Sequence, residues 1–515
     1  MKKKVLLMTS MLAMTSAWQL SQVHEVAADG KKVKVIATFY PVYEFTKGIV
    51  GDQGDVSMLM KAGTEPHEFE PSTKDVKKMQ DADAVVYMDD NMETWMSDVK
   101  KSAKSKKVKY IEGTGNMILA PGTEEGHDHE GDEKHEHKEH EHEGHHHAFD
   151  PHVWLSPYRS ITVVENIRDS LSKKYPDRAP EFKANAQKYI EKLKALDAEY
   201  AKELGDAKQK SFVTQHAAFN YMALDYGLNQ VAINGVSPDT EPSAKRIAEL
   251  SKYVKKYDIK YIYFEENASN KVAKTLANEA GVKAEVLSPL ESLTKKEMQE
   301  GKDYFSVMRD NLKALQLTTN HDGKEIKPEK GTEKTVYNGY FKDSQIKDRK
   351  LSDWSGKWQS VYPYLQDGTL DQVMDYKAKK SKGQMTAKEY KDYYMTGYKT
   401  DVDAITINGK KKTVTFERNG KKQTFTYEYD GKKTLTYPKG NRGVRYLFKA
   451  KEKDAGEFTY IQFSDHAIAP EKAEHFHLYW GGDSQAKLLD ELEHWPTYYP
   501  AEMSGREVAQ AINAH

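Results

Sequence analysis

The sequence contains no cysteine in its 515 residues. Disulfide bonds, thiolate metal ligands and cysteine nucleophiles are therefore all excluded, and any transition-metal site must use histidine, aspartate or glutamate. A charge excess is also lacking, because 78 basic and 79 acidic residues give a formal net charge of -1. This balance gives no indication of nucleic acid or of a strongly cationic partner.

Long apolar runs are scarce as well. The stretch from Val5 to Trp18 is interrupted by Ser and Thr, and it is too short for a comfortable membrane span of about 20 residues. It follows the basic residues Lys2 to Lys4 and precedes the small-residue pattern Val26-Ala27-Ala28. These features predict a signal peptide over residues 1–28 and an exported, extracellular or surface-associated protein. Without a cysteine we expect no lipid anchor, only peripheral association with the outer face of the membrane.

The rest of the chain is too long for one ordinary domain, since single cores stop growing at roughly 250 to 300 residues. From Val33 to Leu315, short apolar runs alternate with amphipathic helical stretches, which predicts an α/β domain around mainly parallel sheets. The strand candidates include Val33 to Thr38, Ala84 to Met88, Phe212 to Thr214 and Tyr261 to Phe264, and the helix candidates include Tyr43 to Ile49 and Ser243 to Lys256. Pro176 to Leu204 is predicted to be one long helix that joins two lobes.

A second domain is predicted after the polar segment Asn320 to Glu333, which has no apolar period. We expect the first domain at residues 30–319, a linker at 320–334 and the second domain at 335–515. Asn408-Gly409, Asn419-Gly420 and Asp430-Gly431 are typical hairpin turns. The β-rich segments between and after them are Ala404 to Ile407, Thr413 to Glu417, Thr424 to Tyr429, Leu435 to Tyr437, Arg445 to Phe448, Phe458 to Phe463 and Phe476 to Trp480. A small antiparallel barrel is the most economical interpretation.

A histidine-rich insert occupies residues 126–147 and contains only His, Glu, Asp, Lys and Gly. Its histidines are His127, His129, His135, His137, His140, His142, His145, His146 and His147. Because nothing in it can be buried, we expect a mobile loop. Imidazoles with a pKa of about 6.5 are mostly neutral at pH 7 and can collect zinc weakly. A plain solvated loop or a cloning tag is the alternative, although a tag would lie at a terminus.

Three further histidines of the first domain lie where metal ligands would be expected. His67 in TEPHEFEP and His216 in QHAAF come just after predicted strand ends, and His152 in DPHVWLSP follows the insert. Ligands of α/β folds bind beyond the carboxyl ends of the strands, so the three could converge. Taken singly, each would more often be a hydrogen-bonded structural residue.

The strings PHEFEPS and DPHVWLSP resemble the ZnuA-type metal-binding proteins of bacterial ABC importers, over roughly Lys32 to Leu315. The resemblance implies the cluster A-I (cluster 9) solute-binding fold, in which two α/β lobes joined by a long helix clamp one metal. It implies the ligands His67, His152, His216 and Glu291. Glu265, Glu266 and water are rivals for the fourth position. Three imidazoles and one carboxylate suit Zn²⁺ better than Mn²⁺, although affinity alone does not exclude Cu²⁺.

The second domain contains an HxH pair, His475 and His477, whose side chains share one face of a predicted strand. His466, at the end of the preceding strand, can complete a trio, and a polar strand face is the alternative. The strings DWSGKWQSVYP, FSDHAIAPEKAEHFHLYWG and EHWPTYY resemble ZinT, a calycin-like (lipocalin-like) barrel domain, over roughly Val336 to His515. The resemblance implies that the trio holds zinc with an open fourth position, and that His494 is not a ligand.

The two resemblances together imply the extracytoplasmic zinc-binding component of a Gram-positive ABC importer. We expect a monomer that captures Zn²⁺ in two sites and delivers it to the permease and ATPase, without catalysis. A zinc hydrolase or lyase is one alternative, because three histidines with an open position also describe catalytic zinc. The segment that carries His466, His475 and His477 contains no HExxH motif to support it. A surface adhesin that keeps metal for structure is the other alternative.

Overall fold

The computed structural model describes residues 32–103, 107–122, 149–233, 244–265, 271–324, 335–438 and 440–514. The predicted signal peptide, the histidine-rich insert, Glu266 and residues 325–334 of the predicted linker lie outside these residues. Within the described ranges, no helix combines the length and the apolar character needed to span a membrane.

The first domain contains two parallel four-stranded sheets, one in each lobe. Its strands are β1 (Val33–Ala37), β2 (Gly54–Met58), β3 (Ala84–Tyr87), β4 (Lys109–Glu112), β5 (Ser211–Thr214), β6 (Asn229–Ala232), β7 (Tyr261–Phe264) and β8 (Lys283–Val286). The strand order is β2-β1-β3-β4 in the first lobe and β6-β5-β7-β8 in the second. The four strand candidates correspond to β1, β3, β5 and β7, so the predicted α/β class is confirmed.

Ten α-helices of the described residues pack around these sheets. They are α1 (Tyr40–Val50), α2 (Thr73–Gln80), α3 (Met96–Ser102), α4 (Pro157–Lys174), α5 (Ala179–Gly205), α6 (Asn220–Asp225), α7 (Ala244–Lys256), α8 (Lys271–Ala280), α9 (Lys295–Gln299) and α10 (Tyr304–Thr319). The 27 residues of α5 span about 40 Å at 1.5 Å per residue. This helix confirms the predicted connection between the lobes, and a 3₁₀ turn at Pro176–Arg178 precedes it.

The apolar face of α5 explains why a single helix can tie the lobes together. Leu193, Leu196 and Leu204 follow helical spacing and are all buried. Tyr200, on the same face, donates a hydrogen bond from its hydroxyl to the carbonyl oxygen of Met308 in α10 at 2.6 Å. The buried stripe therefore belongs to a hydrophobic cluster that includes residues of both lobes.

The second domain is a closed eight-stranded barrel, in the order β10-β11-β12-β13-β14-β15-β16-β9. Its strands are β9 (Gly356–Ser360), β10 (Ala404–Asn408), β11 (Thr413–Arg418), β12 (Lys421–Thr436), β13 (Arg442–Ala450), β14 (Tyr460–Ser464), β15 (Phe476–Gly481) and β16 (Thr497–Pro500). Its helices are α11 (Tyr362–Gln366), α12 (Asp371–Lys380), α13 (Ala387–Gly397), α14 (Gln485–Leu489) and α15 (Gly505–Ala514). The predicted antiparallel barrel is confirmed.

The predicted hairpin at Asp430-Gly431 is wrong. Strand β12 continues through both residues and pairs with β13 on either side, with a β-bulge between Tyr429 and Gly431. Gly431 has φ +109°, a conformation that only glycine adopts easily. Asn419-Gly420, in contrast, forms the predicted two-residue turn between β11 and β12, with φ values of +50° and +74°.

The two domains contact each other through α12 and α15. Ile118 of the first domain is buried in a hydrophobic cluster built mainly from the second domain. Lys379 forms an ion pair with Asp225 at 3.0 Å, and Arg506 forms one with Glu112 at 3.4 Å.

Truncating the buried face of α5 should destabilise the first domain. Leu193 is fully buried, so Leu193→Ala should lower the free energy of unfolding by about 2 to 5 kcal/mol. Differential scanning calorimetry of the full chain should show a lower unfolding temperature for the transition of the first domain only. The neighbouring exposed residue provides the control, since Lys194→Ala should change stability by less than about 0.5 kcal/mol. Equal effects of the two changes would contradict the role given to this face.

Candidate metal sites

Four side chains from four different segments meet in the cleft between the lobes. His67 lies in the loop after β2, His152 precedes α4, His216 follows β5 and Glu291 follows β8. They are 5%, 0%, 1% and 5% exposed, respectively. Each offers a ligand atom within 4.8 Å of those of the other three. The structure therefore brings together all four residues predicted for this site.

The spacing of the four ligand atoms matches a tetrahedral zinc site. Nε2 of His152 lies 3.1 Å from Nε2 of His67 and 3.1 Å from Nε2 of His216. Oε1 of Glu291 lies 3.4, 3.3 and 4.0 Å from Nε2 of His67, His152 and His216. A tetrahedron with metal–ligand distances of about 2.0 to 2.1 Å has edges of roughly 3.3 Å. The cleft thus has the size and the donor set for one Zn²⁺.

Carboxylates behind two of the histidines determine which ring nitrogen faces the cleft. Nδ1 of His152 donates to Oδ1 of Asp150 at 2.7 Å, and both side chains are fully buried. Nδ1 of His216 donates to the carboxylate of Glu265. With the proton held at Nδ1, the lone pair of Nε2 points to the metal position. Glu265, a rival for the fourth position, lies behind His216, whereas Glu291 lies beside the three Nε2 atoms.

Burial and the neighbouring charges shift the pKa values of this cluster in different directions. Burial lowers the pKa of His67 to about 4. Burial also acts to lower the pKa of His152, but the hydrogen bonds and charges of Asp150 and Glu291 outweigh it and raise that pKa to about 10. Burial acts to raise the pKa of Glu291, yet its hydrogen bonds to His152 and His67 hold it well below its usual range. Without metal, the site therefore contains a carboxylate beside a protonated imidazole.

The loop after β8 aims Glu291 into the cleft. Leu290 is fully buried and has φ +55°, a region that a bulky residue adopts only when its surroundings impose it. The main-chain N–H of Leu290 donates to Oγ of Ser288 at 3.1 Å, and the indole N–H of Trp154 donates to the carbonyl oxygen of Pro289 at 2.8 Å. These contacts hold the strained turn from both sides.

The three histidines predicted for the barrel are neighbours but do not form a closed cage. The ring centres of His466 and His475 are 5.5 Å apart, and those of His475 and His477 are 6.2 Å apart. The groups of potential ligands within 4.8 Å among the described residues do not include this trio. His475 is buried, whereas His466 is exposed.

Hydrogen bonds at Nδ1 still leave Nε2 of two barrel histidines with a lone pair. Nδ1 of His466 donates to the carbonyl oxygen of Tyr337 at 3.1 Å. Nδ1 of His477 lies 2.8 Å from Oγ1 of Thr497, whose hydroxyl donates to the carbonyl oxygen of Trp495 at 2.8 Å. Since that hydroxyl hydrogen is already used, His477 must be the donor to Thr497. Both rings can therefore offer Nε2 to a metal.

The groups that support the ligands from behind carry weaker sequence signals. Asp150 lies two residues before His152, and this spacing in the DPH motif is the signal that could identify it. Glu265 follows β7, and its sequence position indicates only a candidate ligand, not a residue that supports His216. Tyr337 is 129 residues from its histidine and Thr497 is 20 residues from its own, so no local pattern links them.

Comparison with known proteins agrees with this geometry. Residues 35–317 match the family model of ZnuA, a periplasmic component of a zinc-uptake complex. Residues 332–515 match that of ZinT (YodA), described as a periplasmic lipocalin-like protein of zinc recruitment. The chain is 76% identical to the zinc-binding protein AdcA of Streptococcus pyogenes serotype M3, over 518 residues and 100% of both chains.

Similarity to pneumococcal proteins is also high. The zinc-binding lipoprotein AdcA of Streptococcus pneumoniae is 58% identical over 519 residues, which cover 100% of both chains. The crystal structure of Zn(II)-bound AdcA from Streptococcus pneumoniae matches with a TM-score of 0.84 and 57% identity, covering 94% of this chain and 100% of that one. The pneumococcal relative is named a lipoprotein, whereas this chain has no cysteine, so the absence of a lipid anchor stays a prediction.

These matches confirm the fold class and the expectation of a binding protein rather than an enzyme. The exact domain boundaries stay predictions. The chain belongs to the AdcA family of zinc-binding proteins, in which a ZnuA-type domain is joined to a ZinT-type domain.

Proposed function

We propose that this protein captures Zn²⁺ outside the cytoplasm through His67, His152, His216 and Glu291 and delivers it to the permease and ATPase of an ABC importer. The buried cage of four ligand atoms between the lobes is the observation that supports this proposal. Zinc is the cargo, so no bond needs to be broken. What the protein must do is hold the ion tightly and then let it go.

The position of the cage suggests how release occurs. His67 and His152 belong to the first lobe, and His216 and Glu291 belong to the second. Separating the lobes therefore removes two of the four ligands at once. The main-chain N–H of Gly63 donates to Oγ of Ser292 across the cleft at 2.7 Å. A permease that docks on both lobes and favours an open cleft would break this contact. The same opening would weaken zinc binding.

A second zinc position in the barrel is part of the proposal. His466, His475 and His477 would hold Zn²⁺ with an open fourth position, and the exposure of His466 favours rapid exchange. The covalent link between the domains gives an effective concentration on the order of mM for transfer to the cleft. The histidine-rich insert would act as a dispensable collector. We propose that the protein works as a monomer on the outer face of the membrane.

Two independent zinc equivalents are expected in metal titrations of the chain lacking residues 126–147. His67→Ala should lose the equivalent of the cleft, because one of four buried ligands is missing. The double change His466→Ala and His477→Ala should lose the equivalent of the barrel. His494 provides a matched control, since its Nδ1 lies 3.4 Å from Glu491 outside both sites, and His494→Ala should retain both. A single equivalent that none of these changes affects would refute the two-site scheme.

Zinc binding in the cleft should release about one proton at pH 7 to 8. The raised pKa of His152, about 10, keeps its imidazole protonated in the empty site at this pH, and zinc needs the lone pair. Affinity should therefore fall as the pH falls, by about tenfold per unit. Isothermal titration in buffers of different ionisation enthalpy measures the proton count, with the insert deleted and His475→Ala and His477→Ala in place.

The control for this experiment is Asp150→Asn. It removes the charge that raises the pKa of His152, so it should release a smaller fraction of a proton per zinc. A proton count of zero in the parent protein would contradict the protonated state assigned to the empty cleft.

A further inference from the structure

The last helix of the chain binds the main chain of the first domain close to the cleft. Leu119 donates from its N–H to Oε1 of Gln510 in α15 at 2.8 Å. The carbonyl oxygen of Leu119 accepts from Nε2 of Gln510 at 2.6 Å and from Nδ2 of Asn513 at 3.0 Å. Both polar main-chain groups of a buried residue in one domain are thus satisfied by side chains of the other. We call Gln510 and Asn513 the clasp.

Neighbouring contacts keep the same segment on the second domain. The N–H of Ile118 donates to Oε1 of Gln372 in α12 at 3.0 Å, and Nε2 of Gln372 donates to the carbonyl oxygen of Asn116 at 3.3 Å. Ile118 is buried in the hydrophobic cluster of the second domain. The segment from residue 116 to residue 119 is therefore fixed by polar and apolar contacts across the interface.

The residue after Leu119 leads directly to the cleft site. The carbonyl oxygen of Ala120 accepts from the N–H of Asp150 at 2.9 Å. The N–H of Ala120 donates to the hydroxyl of Tyr221 at 2.8 Å, and that hydroxyl donates to the carbonyl oxygen of Asp150 at 2.6 Å. Oδ1 of Asp150 in turn accepts from Nδ1 and from the main-chain N–H of His152, at 2.7 and 3.0 Å.

We propose that the clasp positions the zinc ligand His152 through Leu119, Ala120 and Asp150, so that the docked second domain slows the loss of zinc from the cleft. The proposal rests on the proposed function of the cleft. The second domain then contributes more than its own zinc position, because its last helix also tightens the site of the first domain. Gln510 and Asn513 are positioning residues, since neither touches the metal position.

The test measures zinc dissociation from the full chain in which His475→Ala and His477→Ala remove the barrel site. Groups directly behind a metal-ligating histidine typically change affinity by 10- to 100-fold. The clasp acts further away, through Leu119 and Ala120, so Gln510→Ala with Asn513→Ala should speed zinc loss to excess chelator by about 3- to 10-fold, less than a change directly behind the histidine. Amide hydrogen exchange of Ala120 and Asp150 in the metal-free protein should also become faster.

Arg506 provides the matched control. It lies in the same helix and the same interface, but it pairs with Glu112 and not with the segment that leads to Asp150. Arg506→Ala should leave the dissociation rate and the exchange of both amides unchanged. The single variant Gln510→Ala keeps Asn513 in place and should give an intermediate rate, which preserves the test if the double variant does not fold.

A double-mutant cycle distinguishes positioning from general loosening of the interface. In a protein that already carries Asp150→Asn, the clasp changes should raise the dissociation rate by less than about twofold. The reason is that the clasp acts through the Asp150 carboxylate, which is then missing. If the effects of the clasp changes and of Asp150→Asn on the dissociation rate are fully additive, the clasp proposal is refuted. It is also refuted if the clasp variant binds zinc but loses it at the parent rate. Neither result would refute the proposed function. A parent protein that holds no zinc in the cleft would overturn the proposed function and the clasp with it.

Discussion

The convergence of three imidazole nitrogens and one carboxylate oxygen in a buried cleft is the constraint on which the rest of the structure depends. Lone pairs at 3.1 to 4.0 Å from one another are unfavourable out of water unless a positive charge lies among them. In the empty protein a proton on His152 supplies part of that charge, and a divalent cation would supply all of it. Because each lobe contributes two of the four candidate ligands, an ion bound in the cleft would also hold the lobes together.

The two proposed metal positions differ in how completely the surrounding residues already hold the candidate ligands in place. In the cleft, Asp150 and Glu265 fix two imidazoles from behind, and the strained loop at Leu290 aims the carboxylate. In the barrel, the exposed His466 stacks on Tyr337 with ring centres 4.0 Å apart, and the trio stays open. A prepared, buried site favours retention, whereas an open site with one exposed histidine favours exchange. The contrast fits transfer from the barrel to the cleft, and the contact of α15 with Leu119 places the second domain beside the site that receives the ion.

Strands and ligands with a local sequence pattern could be predicted from the sequence. Features that depend on contacts between residues distant in the sequence could not. The recognised strands β1, β3, β5 and β7 occupy the central positions of their sheets, where both faces are buried and the residues are almost all apolar. The edge strands β2 and β8, with sequences GDVSM and KAEV, carry no such pattern. Asp430-Gly431 fits a turn or a bulge equally well, and the pairing with β13 decides between them. The ligands are likewise recognisable from their motifs, whereas Thr497 and the clasp act on residues far away in the sequence.

The central claim is that His67, His152, His216 and Glu291 together hold zinc. Crystals of this protein grown with Zn²⁺ and measured on both sides of the zinc absorption edge test it most directly. The account predicts an anomalous peak about 2.0 to 2.2 Å from the three Nε2 atoms and from a carboxylate oxygen of Glu291. An anomalous peak beside Glu65 and Glu265 instead, or a closed cleft that contains no anomalous peak, would contradict the claim.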